Sequence, residues 1–150
     1  MVDMQDCIQS ISMDRQLSSI PQYSVTEAAK KLGISPHTLR YYDDQGLFPF
    51  LQRDVAQKRM FSEADLQWAK LMECLKKSGL SIRDMRYYVK LCEEGNETIP
   101  DRLKLLEPQK EKLLKQIEEE KRQLKLLQFK IDYYEKIQAQ TEQEKGDLII

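Results

Sequence analysis

Cysteine is scarce in this chain: three among 150 residues, at Cys7, Cys74 and Cys92. None forms a CxxC pair, and none has histidine at a ligand spacing. That excludes a zinc site and a disulfide-stapled secreted scaffold. No base stands in a recognisable arrangement with any of the three, so a thiol enzyme is set aside as well. We therefore expect no metal, no cofactor and no catalytic residues. Long apolar runs are missing too, as is a basic-then-apolar leader, which predicts no transmembrane segment, no membrane partner and a cytoplasmic location. An excess of charge of one sign is also lacking. Charged residues make up 33% of the chain, yet the net charge is -1. Tyr23 to Phe61 holds six Lys/Arg against four Asp/Glu, and Thr98 to the end holds eleven against eleven. Bulk charge thus gives no argument for nucleic acid, and a phosphate-binding face has to come from local placement.

What is present is a series of helix start and stop signals. Ser24-Val25-Thr26-Glu27 fits a capping box, with Val25, Ala28, Ala29 and Leu32 on the inner side of the helix that follows and Gly33 at its end. Ser35 caps a second helix, Pro36 suits its first position, and Gly46 closes it. Two short helices joined by a tight turn form a helix-turn-helix pattern, although any small helical hairpin shares it. On the second helix Leu39 and Tyr42 lie three apart and can anchor it to a core, while His37, Thr38, Arg40, Tyr41 and Asp44 face the other way. Arg40 can grip a guanine edge or a phosphate, and Thr and Tyr hydroxyls suit phosphates and base edges.

Leu47 to Phe61 is too short and irregular for a helix and reads as a hairpin wing, with Arg53, Lys58 and Arg59 near its tip. A solvated loop is the plainer reading of three basic residues. Ser62 opens a third helix with Leu66, Ala69, Leu71, Met72 and Leu75 apolar. Gly79 ends it, and Ser81 caps a fourth, with Ile82, Met85, Val89 and Leu91 apolar.

From about Thr98 the pattern becomes heptad. With Leu103 at position a, the seam reads Leu103, Leu106, Lys110, Leu113, Ile117, Glu120, Leu124, Leu127, Ile131, Tyr134 and Gln138. Eight of these eleven positions are apolar. Such a stripe predicts a coiled coil with a partner helix. Pro108 lacks an amide donor and should kink the helix near Lys104. Gly146 ends the helical signal, and the tail ending Leu148-Ile149-Ile150 can fold back. The fold expected is mainly α: a mobile N-terminal tail over 1–22, a winged helix-turn-helix over 23–96, a dimerisation coiled coil over 97–140 and a C-terminal tail over 141–150.

Tyr23-Ser24-Val25, Thr38-Leu39-Arg40-Tyr41-Tyr42-Asp43, Gly46-Leu47, Arg59-Met60-Phe61 and Asp65-Leu66 together resemble the MerR family of bacterial transcription regulators, from about Tyr23 to Tyr134. The resemblance implies a homodimer held by an antiparallel coiled coil. It also implies binding to pseudo-palindromic promoter DNA, which the dimer distorts so that RNA polymerase can engage it. Carried over by position, the DNA-contacting residues are Ser24, His37, Thr38, Arg40, Tyr41 and Tyr42, with Arg53, Lys58 and Arg59 on the wing. Wings of this family often carry a glycine at the tip, where this chain has Ala56-Gln57.

Metal-sensing relatives need clustered thiolates beyond Cys92, and this chain has none. The stretch from Asp65 to Ser81 is similar to the aldehyde- and thiol-stress-responsive branch, which places a reactive thiol at Cys74. Lys70, Lys76 and Lys77 are near enough in sequence to lower a thiol pKa. Alternatively, Cys74 is simply a small apolar residue beside Leu71 and Leu75. Trp68, Tyr87 and Tyr88 could line an aromatic pocket for a non-covalent effector, but aromatics at helical spacing usually belong to a core. A coiled-coil interaction module without specific DNA binding is the competing reading of the whole chain.

Overall fold

The computed structural model describes residues 17–147, and the elements are built where the sequence punctuates them. Helix α1 is Val25–Leu32, α2 Pro36–Asp44, α3 Glu63–Lys77, α4 Ile82–Glu93 and α5 Ile99–Asp147, with a 3-10 turn at Asn96–Thr98 before α5. A two-stranded hairpin, β1 Gln52–Arg53 and β2 Arg59–Met60, lies between α2 and α3. Each of the first four helices starts on a serine whose hydroxyl accepts the amide three residues on: Ser24 from Glu27, Ser35 from Thr38, Ser62 from Asp65 and Ser81 from Asp84. At Ser24 and Ser62 the acidic side chain reaches back to the cap amide and completes a capping box. Each cap satisfies amides that the helix leaves without partners.

The chain divides into two units, one running to Leu106 and one from Glu107. The first is built on one main core. Ala28 and Ala29 of α1, Leu39 and Tyr42 of α2, Leu47, Phe61, Ala69, Met72, Met85 and Val89 are buried together. Phe48 meets Phe61 edge-on, with ring centroids 6.0 Å apart. Leu105 and Leu106 pack against this core from α5, so one expected seam residue, Leu106, is partly used within the unit.

The wing is the hairpin the irregular segment predicts. Gln52 pairs with Met60 and Arg53 with Arg59, antiparallel. Its tip turns without glycine: Gln57 takes φ +64°, and the Asp54 carboxylate accepts from the amides of Ala56 and Lys58, both at 2.9 Å. A three-residue loop with a left-handed third position is a standard hairpin connection, and the Asp54 carboxylate supplies what a glycine would have made easy.

One expectation meets a difference. Residues 17–22 fall in the segment read as a mobile tail, yet Ser18 O accepts from Ala64 N at 3.1 Å and Gln22 N donates to Phe61 O at 3.0 Å. These are backbone bonds, which side-chain patterns do not reveal. Residues 1–16 and 148–150 lie outside the described residues, and so do the rest of that tail and the fold-back expected of Leu148-Ile149-Ile150. Helix α5 is continuous across Pro108 and ends at Asp147, one residue past Gly146.

The unit from Glu107 onward is helix alone. Leu113, Ile117, Leu124, Leu127, Ile131 and Tyr134 of the seam are exposed, as Leu103 is in the first unit. Nothing within that single helix can cover such a stripe.

Candidate nucleic-acid interface

Five of the nine residues expected to meet DNA converge on one cleft of about 460 Å³. It is lined by Ser24, Val25 and Thr26 at the start of α1, Arg40 of α2, and Arg53, Asp54, Gln57, Lys58, Arg59 and Met60 of the wing. Four cations thus face one carboxylate across an opening at a helix N-terminus, where the peptide dipoles add positive potential. The overall charge balance hides this concentration, because the excess of two cations from Tyr23 to Phe61 is offset by acids elsewhere in the sequence. Ser24 lines the cleft while its hydroxyl is occupied in the capping box.

The four cations are not equivalent. Arg40, Arg53 and Lys58 are exposed. Arg59 is mostly covered: its Nε donates to Asp43 at 2.5 Å and its Nη2 to Asp44 at 2.8 Å. Arg53 adds a looser contact to Asp43 at 3.7 Å. Arg59 therefore straps the wing onto the last turn of α2. Asp43 is a residue that sequence reasoning treated only as part of a motif, since nothing local announces a partner sixteen residues away.

On α2 itself, His37, Arg40 and Tyr41 point outward. Thr38 is half-buried, and its hydroxyl lies 2.8 Å from that of Ser35, closing the cap. Tyr42 is corrected: it cannot present a side chain to DNA, because it is fully buried. Its hydroxyl donates to the Glu73 carboxylate, and Lys76 Nζ stands 5.3 Å from its ring centroid. Burial first, then the Glu73 bond, raises its phenol pKa well above the ordinary range. The periodicity that set Tyr42 beside Leu39 gave the right side of the helix.

Cys74 is buried on α3 with Ile34 packed against it. Its carbonyl accepts from both the amide and the hydroxyl of Ser78, each at 3.0 Å. Lys76, expected as a neighbouring cation, is directed to the Tyr42 ring instead. Of the three aromatics considered for a pocket, Trp68 and Tyr88 stack with centroids 6.5 Å apart, whereas Tyr87 is not part of that stack. Phe50, missed from sequence, joins Trp68 edge-on at 5.5 Å, and the Trp68 indole N–H donates to Leu47 O. Tyr88 is pushed up to about 12, chiefly by burial and then by Cys92, against the pull of Arg102. Among the described residues no group of three or more His, Cys, Asp or Glu side chains is placed to hold a metal ion, and no helix is long and apolar enough to cross a membrane.

Residues 23–91 match the profile of the MerR HTH family regulatory proteins. An HTH-type transcriptional regulator of Haemophilus influenzae is 43% identical over 117 residues, covering 78% of this chain and 87% of that one. The chain belongs to the MerR family of transcription regulators. A second MerR relative, the regulator AdhR of Bacillus subtilis, is 32% identical over 91 residues, 61% of this chain and 65% of AdhR. Among solved structures, HiNmlR, described as a MerR family regulator lacking the sensor domain and bound to promoter DNA, shares 43% identity at a TM-score of 0.66. That match covers 78% of this chain and 93% of HiNmlR. A MerR family regulator from Bacillus thuringiensis shares 38% identity at a TM-score of 0.61, over 73% of this chain and 96% of that one. These four MerR relatives are transcription regulators rather than enzymes.

Proposed function

We propose that this MerR family regulator binds a pseudo-palindromic promoter as a homodimer, distorts the duplex, and thereby changes how RNA polymerase engages it. The observation that carries the reading is the cleft where the start of α1, Arg40 and the wing cations meet on one unit. Phosphate contacts at such a place fix register, while His37, Thr38, Arg40 and Tyr41 on α2 are offered to base edges. The exposed seam of α5 supports the dimer, since a stripe of leucines and isoleucines in water is stabilised by a second copy of itself. Two reading helices at a fixed separation call for a two-fold DNA site.

The signal is proposed to act through Cys74, whose sulfur is in a disulfide: exchange with an incoming thiol, which takes its place on the other sulfur, releases it as a thiolate, and an aldehyde or another electrophile then alkylates it. The 32% identity to AdhR and the place of Cys74 on α3, which packs on α1 and α2, support it. Its burial means that the reagent reaches it only when α3 and Ile34 part, so the response is expected to be slow.

The test is a gel shift at stated salt on the chain's own promoter region, with protein kept under thiol reductant. Arg40→Ala should lose sequence-specific binding, and unchanged binding would remove α2 as the reading helix. Cys74→Ser should retain DNA affinity but no longer change transcription when an aldehyde is added. A response that persists in Cys74→Ser excludes that sulfur.

A further inference from the structure

α4 ends at Glu93 and α5 begins at Ile99, so the chain turns a corner within residues 94–98. Two side chains close it. Thr98 is buried, and its hydroxyl stands 2.6 Å from Leu91 O and 2.8 Å from Gly95 O. Arg102, one turn into α5, donates Nε to the Thr98 hydroxyl oxygen at 3.1 Å. Its Nη2 donates to Gly95 O at 2.7 Å and Leu91 O at 3.3 Å. The carbonyls of Leu91 and Gly95 thus both accept from the guanidinium and share the single proton of the Thr98 hydroxyl. An ordinary helix end needs only a cap to satisfy its carbonyls. This corner adds to the cap a cation that is planar, multiply donating and fixed in geometry.

We propose that the Thr98–Arg102 clamp is the positioning element that makes this regulator selective for half-site spacing. It does so by fixing the direction in which α5 leaves α4. The proposal rests on the dimeric DNA-binding reading above. The leverage is large. A helix rises 1.5 Å per residue, so over a helical arm of about 25 residues a swing of about 5° at its base amounts to about 3 Å at its far end. One inserted base pair moves a half-site by about 3.4 Å and rotates it by about 35°. Stiff corners transmit that mismatch into lost contacts, whereas slack corners absorb part of it.

The experiment uses the full-length chain and duplexes carrying its footprinted promoter site, with the centre unchanged or lengthened by one or two base pairs. Affinity is read by fluorescence anisotropy at one salt concentration, and folding and dimerisation are checked by circular dichroism and light scattering. Wild type should lose about tenfold or more on a single insertion. Arg102→Ala and Thr98→Val should lose less than about threefold, with affinity for the original site kept within about fivefold of wild type. Arg102→Lys, which keeps the charge but only one donor group, should fall between. If Arg102→Ala unfolds, Thr98→Val and Arg102→Lys are read in its place. The proposal is overturned if folded, dimeric variants keep the wild-type spacing penalty, or if wild type itself shows none. Wild type with no sequence-specific binding at any spacing overturns the DNA-binding reading as well, and the wild-type measurement alone tells these failures apart.

Discussion

Replacing Arg59 with alanine should cost folding free energy rather than DNA contact energy. The guanidinium is mostly covered and makes two charged hydrogen bonds, to Asp43 at 2.5 Å and Asp44 at 2.8 Å. A hydrogen bond between charged groups in a partly buried setting contributes about 1.5–3 kcal/mol. The pair with Asp44, whose side chain is 65% exposed, adds about 0.2–1 kcal/mol at most. Alanine also leaves Asp43 with only Arg53 at 3.7 Å. The sum is about 2 kcal/mol, which for a unit of this size lowers the melting temperature by about 10 °C. Thermal melts of Arg59→Ala, Asp43→Asn and the double variant form a cycle whose coupling should be about 1–2 kcal/mol. The DNA side of the experiment is the slope of log affinity against log salt, to which each neutralised phosphate contributes about 0.9. Arg40→Ala and Lys58→Ala should flatten that slope, and Arg59→Ala, measured where it is folded, should not. A melt unchanged within a degree or two, together with a flatter slope, would refute the strap and return Arg59 to the DNA contacts.

Other outcomes follow from the same geometry. Tyr42→Phe removes the hydroxyl bonded to Glu73 and should destabilise the chain by about 1–2 kcal/mol without altering the salt slope. Burial raises both Tyr42 and Tyr88 above the ordinary tyrosine range, so a spectrophotometric titration at 295 nm should show a tyrosine signal that ionises only well above pH 10 and that Tyr42→Phe reduces. Because the unfolded chain gives up these protons first, near pH 10, stability is intact below that value. It should fall as pH rises from about 10 toward 12. Leu124→Asp, on the exposed seam of α5, should shift the chain to a monomer by light scattering and abolish promoter binding, while the near-ultraviolet signal of Trp68 stays unchanged.

The signals that were legible in the sequence are local ones. Serine caps at 24, 35, 62 and 81 and the apolar faces of α1 and α3 are set by neighbours within a turn or two, and the structure places them where the spacing put them. The wing was legible as a gap between Gly46 and Ser62 rather than as a strand pattern, because each strand is only two residues long. What could not be read joins distant residues: Arg59 to Asp43, Phe50 to Trp68, Arg102 to Leu91. No periodicity encodes those pairs. Tyr42 shows the two kinds of signal in conflict. Helical spacing turned it inward and motif analogy turned it outward, and full burial decides for the spacing.

The exposed stripe on α5 also bears on how much of this protein a cell needs. If only paired copies engage the operator, promoter occupancy at low abundance rises with the square of the protomer concentration, and dilution weakens regulation while each folded unit persists. A modest change in gene dosage then becomes a disproportionate change in output. Any sibling chain able to pair along the same leucines would titrate this one away from its promoter. Lys110 and Glu120, the charged interruptions in that stripe, are where such mispairing would be accepted or refused.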